Sequence, residues 1–348
     1  MEVKKANRIS WIDELKGFAI ILVMCGHAVF PELLKVELYS FHIPLFFFLS
    51  GYVFSTRKYN GFKEFLKSKI RSLLTPLLSF SIFIFVFDFI VKYLILNVYD
   101  LRRVLFEIPG LFIQIRGTFL GGSIWFLPCL FVTEIIFYFI IKFANNNKYK
   151  IFLCIIFSAI VGYVYFRYIN KLLPWSVDAA LTATFFLGLG YLSKECKEIF
   201  DKIVNIKVAI ILFVLNVVTA YLNYRIFGER VDLYACKQGN ILLYYISAIS
   251  GIYMCISIKR LLKKNDILTI VGKNSLIYYC MHGSIFTVFT AILACFTSVD
   301  DYDFAKALII GIIMVMLASI IIYFVSDFIN KKCPFILGKI SICKDDRI

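Results

Sequence analysis

The chain is short of polar material. Only 18% of its 348 residues are charged, against 61% hydrophobic and 18% aromatic. That balance excludes a soluble globular protein, whose surface needs far more charge, and points to a helical membrane protein. Acid is scarcer than base, with 23 Asp and Glu against 38 Lys and Arg. The excess cations sit in short blocks between apolar runs, which is a topology signal rather than a nucleic-acid surface, so no nucleic-acid partner is expected. No Cys-x-x-Cys pair occurs among the ten cysteines, and six of them (Cys25, Cys129, Cys154, Cys255, Cys280 and Cys295) lie inside apolar segments. These read as small buried hydrophobes, not as a redox or zinc motif. Internal repeats, low-complexity tracts and an appended soluble domain are absent from the pattern, so residues 1–348 are expected to form one transmembrane domain. No small-residue cleavage site follows the first apolar run, which is expected to stay as an uncleaved anchor. Histidine is rare, with His27, His42 and His282 making the full set of three.

What is present is a series of runs long enough to span a bilayer: 11–30, 39–54, 73–96, 125–143, 151–168, 178–192, 207–224, 240–258, 275–296 and 305–328. The expected fold is therefore all-α, a polytopic membrane bundle of about ten transmembrane helices. The sixth run is short, as a broken or tilted segment would be. Cations in alternate connections divide 26 to 10, with the larger share beside the amino terminus, around Arg57–Arg71 and after Lys331. The positive-inside rule then places both termini in the cytoplasm of a multi-pass cytoplasmic-membrane protein. Residues 97–124 make the longest connection on the opposite side, and their mixed apolar and charged pattern suits an interfacial or re-entrant segment. Gly121-Gly122 would give that segment a flexible lead into the Trp125 helix. Asp300, Asp301 and Asp303 read as a solvated acidic turn.

The first run carries more than a membrane anchor needs. Asp13, Lys16 and His27 all fall in it. Eleven residues separate Lys16 from His27, which brings them to within about 20° of one helix face and about 16 Å apart along the axis. Asp13, three residues before Lys16, shares that stripe. Ionisable groups in a lipid-embedded helix are costly and normally face a cavity or a partner. Snorkelling of Lys16 and a packing role for His27 would also satisfy the pattern.

With Arg8-Ile-Ser-Trp-Ile-Asp-Glu-Leu before it, the Lys16, ten residues, His27 spacing resembles the opening helix of the membrane-bound acyltransferase-3 family. Further matches follow in the family's order: Phe41-His-Ile-Pro-Leu-Phe-Phe-Phe-Leu-Ser-Gly51-Tyr52, then Trp125-Phe-Leu-Pro-Cys-Leu-Phe131, then Gly272-Lys-Asn-Ser-Leu-Ile-Tyr-Tyr-Cys-Met-His282. They look most like the branch that includes sugar O-acetylases. The resemblance implies an O-acyltransferase, with acetyl-CoA as acyl donor. The acceptor would be a hydroxyl of a cell-envelope carbohydrate or a lipid-linked glycan precursor.

With the amino terminus inside, Lys16 lies near the cytoplasmic end of its helix, and His27 and His42 lie towards the outer side. A hydroxyl is a poor nucleophile at neutral pH, and a neutral imidazole can take its proton as it attacks a thioester. His27 is the expected base, with His42 supporting it. Lys16, fixed by Asp13, and the block ending at Arg71 face the compartment where acyl-CoA is made and would hold its phosphates. The family often has an Arg-x-x-Arg pair before the third helix. This chain has Lys67-Ser-Lys-Ile-Arg71 instead, so the donor contacts depart from the pattern. Glu134 is the most conspicuous membrane carboxylate, available either to orient a histidine or to pair with an internal Lys or Arg. Asp88 reads as structural. His282 is expected to line the pocket, though a buried packing histidine suits its position as well; Trp125 and Ser50 are also expected to line it, with Ser50-Gly51 reading as close helix packing and not as a nucleophile. No ligand spacing supports a metal among the three histidines. A transporter or flippase for a lipid-linked glycan would use the same charged helix; transfer of the acyl group, against movement of an unchanged substrate, separates the two. A purely structural partner would not need this stripe.

Overall fold

The computed structural model describes residues 10–91, 108–117, 124–196, 205–296 and 302–339. Among them the only regular structure is helical, apart from one isolated bridge between Asp232 and Lys237. The helices are α1 (Ser10–His27), α2 (Glu32–Val53), α3 (Phe62–Val91), α4 (Phe126–Phe143), α5 (Lys148–Tyr168), α6 (Val177–Glu195), α7 (Ile206–Phe227), α8 (Ile241–Leu261), α9 (Asp266–Lys273), α10 (Ser275–Ala294) and α11 (Phe304–Lys332). Nine of the described helices are long and apolar enough to cross a membrane, counting α6 with the 3-10 turn Pro174–Ser176 that precedes it. The tenth expected span, α1, falls outside that set because Asp13, Glu14 and Lys16 lie within its 18 residues. α7 and α11 expose Ile210, Phe213, Val217, Ile312, Ile320 and Phe324, an apolar surface that only lipid can cover favourably.

Two spans begin earlier than their hydropathy suggests. α2 starts at Glu32 rather than at 39, because Glu32, Lys35 and Glu37 are helical although polar, and it carries Pro44 within it. α3 starts at Phe62 rather than at 73, so Lys63, Lys67, Lys69 and Arg71 stand on a helix and not in a loop. Its turn Ile70–Leu74 is π-helical, with the Thr75 amide reaching back to the Ile70 carbonyl. Pro76 follows at once, and a proline in a continuous helix removes one hydrogen bond and crowds the carbonyl four residues back. The widened turn absorbs that conflict. Four asparagines start helices by accepting backbone amides: Asn147 for α5, Asn205 for α7, Asn240 for α8 and Asn265 for α9. Asp303 caps α11 by accepting the Lys306 amide at 2.7 Å, which gives this member of the acidic turn a structural task. Gly121-Gly122, Asp300 and Asp301 lie outside the described residues, as does most of the 97–124 connection; its described part holds one helical turn, Gly110–Ile113.

The described residues divide between two compact units. One takes Met1–Val53, Leu189–Leu233 and Lys237–Ser319; the other takes Phe54–Gly188, Tyr234–Cys236 and Ile320–Ile348. In the first unit α1 packs on α2, α8, α9 and α10, and α7 pairs with α8 and α2. α1 and α9 meet at glycines: a Cβ on Gly272 would fall 1.6 Å from the Asp13 carbonyl oxygen, and one on Gly17 would fall 2.1 Å from the Leu268 carbonyl oxygen. No larger residue permits that approach, which fixes the part of α1 carrying Asp13 and Lys16. In the second unit the π-helical turn of α3 packs against α4, and α4 against α5.

Candidate active site

All three histidines belong to the first unit, and helix geometry brings them together. His27 ends α1, His42 sits in the middle of α2, and His282 lies in the third turn of α10. The His27 and His282 rings stand 5.1 Å apart at 51°. Tyr39 lies between the other pair, with its ring 6.5 Å from His27 and 5.0 Å from His42. Gly26 makes room for this arrangement, since a Cβ there would meet the Tyr39 ring at 2.9 Å. Across the rest of that ring lies the Arg230 guanidinium at 4.4 Å, a cation–π contact. Arg230 also bonds Glu32 at 2.5 Å. Burial works against the Arg230 charge, but the Glu32 hydrogen bond and the nearby Tyr39, Glu32 and Asp232 outweigh it and hold its pKa above the ordinary arginine value.

The three imidazoles are not equivalent. His42 and His282 are buried, 2% and 4% exposed, and each directs Nδ1 at the carbonyl four residues back: Leu38 at 2.5 Å and Tyr278 at 3.1 Å. A carbonyl oxygen can only accept, so Nδ1 of each ring carries the proton and Nε2 is left with its lone pair. His27 is exposed, and it lines a cavity of about 360 Å³ together with Glu32, Lys35, Thr290 and Tyr302. That volume falls at the lower end of small-molecule sites, roughly 300–1,000 Å³. An imidazole open to a cavity, backed by a buried imidazole of fixed tautomer, can accept a proton from whatever enters.

Of the residues expected to hold the acyl donor, Asp13 is buried and Lys16 half-buried on α1. Next to Asp13 in the chain, Glu14, 2% exposed, bonds Lys259 of α8 at 2.9 Å and accepts the Asn265 amide at 2.7 Å. Arg71 belongs to the second unit, where its Nε donates to the Gly338 carbonyl at 2.7 Å. Ser50 is half-buried on α2. Glu134 takes the second of its two open partners: Lys69 bonds it at 2.9 Å, with the ammonium also 5.6 Å from the Phe54 and Phe65 ring centres.

Trp125, buried in the second unit, meets Tyr234 edge to face with ring centres 5.8 Å apart, and the Arg116 guanidinium lies over its ring at 5.8 Å. Arg116, read from its place in the chain as a loop cation, is instead 1% exposed and paired with fully buried Asp178. Cys236 completes this group, its Sγ 3.1 Å from Arg116 and 3.0 Å from Asp178. Burial pushes the Cys236 thiol up, against the pull of the Arg116 charge, so it stays protonated and donates to the carboxylate.

A family model described as an acyltransferase domain matches residues 9–324, a span that includes every candidate site side chain named above. The chain belongs to the acyltransferase-3 family. No curated protein and no solved structure matches it. Membership makes it a membrane acyltransferase, an enzyme rather than the glycan transporter that the same charged helix would suit. In this acyltransferase, Glu32, Lys35, Tyr39 and Arg230 escaped the sequence reading. Glu32, Lys35, Tyr39 and His42 are spaced by three, four and three, one face of a helix, but the pattern is visible only if α2 is begun at Glu32. Glu14–Lys259 and Arg116–Asp178 carry no local signal, since their partners are distant in the chain.

Proposed function

We propose that this acyltransferase moves an acetyl group from acetyl-CoA to a hydroxyl of a cell-envelope carbohydrate or its lipid-linked precursor, as in the sugar O-acetylase branch it resembles. The chain acts as one domain, with its termini in the cytoplasm as the cation bias suggests. The observation that carries the reading is the exposed His27 imidazole in a cavity, 5.1 Å from the His282 ring. His27 takes the proton of the acceptor hydroxyl as its oxygen attacks the thioester carbonyl. The adduct then collapses with cleavage of the C–S bond, and the departing sulfur receives that proton back from the imidazolium. His282, whose ring adjoins that of His27, and His42, behind Tyr39, hold the ring's surroundings; Trp125 and Ser50 serve as pocket residues and Glu134 as a supporting carboxylate. Lys16, with Asp13 beside it, serves the donor phosphates. The extended axial distance of about 16 Å from Lys16 to His27 suits a donor whose nucleotide and thioester ends are far apart. Arg71 contributes to the cationic face of the donor side.

Positioned base catalysis contributes about 10²–10⁴-fold. His27→Ala should lose that factor in transfer of labelled acetyl from acetyl-CoA to extracted envelope carbohydrate, while the protein accumulates normally in membranes and still binds acetyl-CoA. Near wild-type transfer by a well-accumulated His27→Ala protein contradicts the base assignment. Label recovered only in lipid or protein contradicts the carbohydrate acceptor.

A further inference from the structure

The cavity beside His27 holds a charge that the proton-transfer chemistry does not use. Lys35 lines it, half-buried, in the first turn and a half of α2. Its nearest carboxylate, Glu32, is engaged by Arg230 at 2.5 Å, and among the described residues no ion pair or hydrogen bond forms at the Lys35 ammonium. Lys35, Tyr39 and His42 follow one another at four and three residues, so the ammonium heads the same face of α2 that carries Tyr39 to His27. Arg230, close enough to disfavour a second cation, adds to the positive potential instead of cancelling it. Glu32 offsets part of that effect from a distance, but it is bonded to Arg230, and a half-buried cation with no contacting counter-charge is more stable when a ligand brings one. Hydroxyl partners stand on the same wall. The Tyr302 hydroxyl is buried and has no hydrogen-bond partner among the described residues, and Thr290, whose hydroxyl donates to the Phe286 carbonyl, keeps its lone pairs for an incoming donor.

We propose that this cavity takes an acceptor carrying an anionic group, a phosphate or a carboxylate, and that Lys35 is the residue that binds it. The anion anchors the acceptor at Lys35 and leaves a neighbouring hydroxyl to His27, eight residues earlier in the chain. This specificity rests on the reading of the His27 cavity as the acceptor site. A phosphate would come from a lipid-linked or phosphorylated sugar and a carboxylate from an acidic sugar; the contact with the ammonium is the same in kind.

The test uses the full chain in detergent or nanodiscs, with glucose 1-phosphate, glucuronate and glucose as probes. Binding is followed by ligand-observed NMR, and KM for acetyl-CoA is followed in transfer assays. At least one charged probe should bind about 10-fold more tightly than glucose, the gain of one charge-assisted hydrogen bond. Preference for glucose 1-phosphate assigns the anion to a phosphate, and preference for glucuronate assigns it to a carboxylate. Lys35→Gln should erase the preference and Lys35→Arg should keep it, with the KM for acetyl-CoA unchanged in both. The proposal is overturned if the wild-type chain does not distinguish charged from neutral probes. It is overturned equally if Lys35→Gln keeps the preference, or if Lys35→Gln raises the KM for acetyl-CoA with probe binding intact, which would give the lysine to the donor. Because probe binding needs no turnover, this result stands or falls separately from the role of His27.

Discussion

Two polar clusters sit in two apolar units, and they are built on opposite principles. Around Arg116 the two charges are paired: the guanidinium meets Asp178, the Cys236 thiol bridges the two, and the guanidinium lies 5.8 Å from the Trp125 ring centre. Both ions are closed off, at 1% and 0% exposure. Around His27 the matching is left incomplete. The imidazole opens on a cavity, the Lys35 ammonium beside it makes no ion pair among the described residues, and nearby Glu32 is bonded to Arg230 in a partly exposed pair. A cluster that only holds a fold has no use for an open base or an unanswered ammonium. A cluster that handles substrate needs both, and the cost of leaving them is met by the packing around it. On the proposed reading, closure marks structure in this protein and openness marks chemistry.

The comparison breaks most visibly at Asp178. Removing one member of a buried ion pair strands the other charge, typically at about 3–5 kcal/mol. Asp178→Ala should therefore lower unfolding stability in detergent by about that much, and Asp178 and Arg116 replaced together by apolar residues should recover much of it. A single Asp178→Ala protein as stable as wild type would make the cluster something other than a lock. A smaller effect should sharpen the other side. Gly26→Ala places a methyl group against the Tyr39 ring at 2.9 Å, where the ring can shift by tenths of an ångström. The stability cost should be about 1 kcal/mol, but Tyr39 touches both His27 and His42, so transfer should fall by more than stability explains. Transfer that falls only in proportion to the loss of folded protein would leave Tyr39 without a positioning role.

Much of the fold was legible in the apolar runs, because lipid demands continuous helices of a fixed length. The starts of α2 and α3 were not, since hydropathy stops at the first charged turn while the helix does not. The three histidines were identifiable as residues from their rarity and from the spacing Lys16 to His27. Their ranking was less so. His42 stood next to His27 by position in the chain, yet Tyr39 separates the two and His282 is the ring that adjoins His27. Only tertiary packing of α1, α2 and α10 decides that order. Arg116 was misleading for the same reason: a cation between apolar runs reads as a topology signal until its distant partner Asp178 is seen. Glu134 offered two partners on paper, and the structure gives it Lys69.

The most direct test asks whether the open histidine is also the working one. Diethylpyrocarbonate acylates accessible neutral imidazoles, and mass spectrometry of the modified chain locates each label. In membranes containing the intact enzyme, His27 should be modified first, with His42 and His282 protected by burial. Loss of acetyl transfer should then follow the extent of labelling at His27, and hydroxylamine, which removes the label, should restore it. Complete modification of His27 with transfer unchanged, or inactivation that follows labelling of His42 or His282 while His27 stays free, would contradict the assignment of His27 as the base.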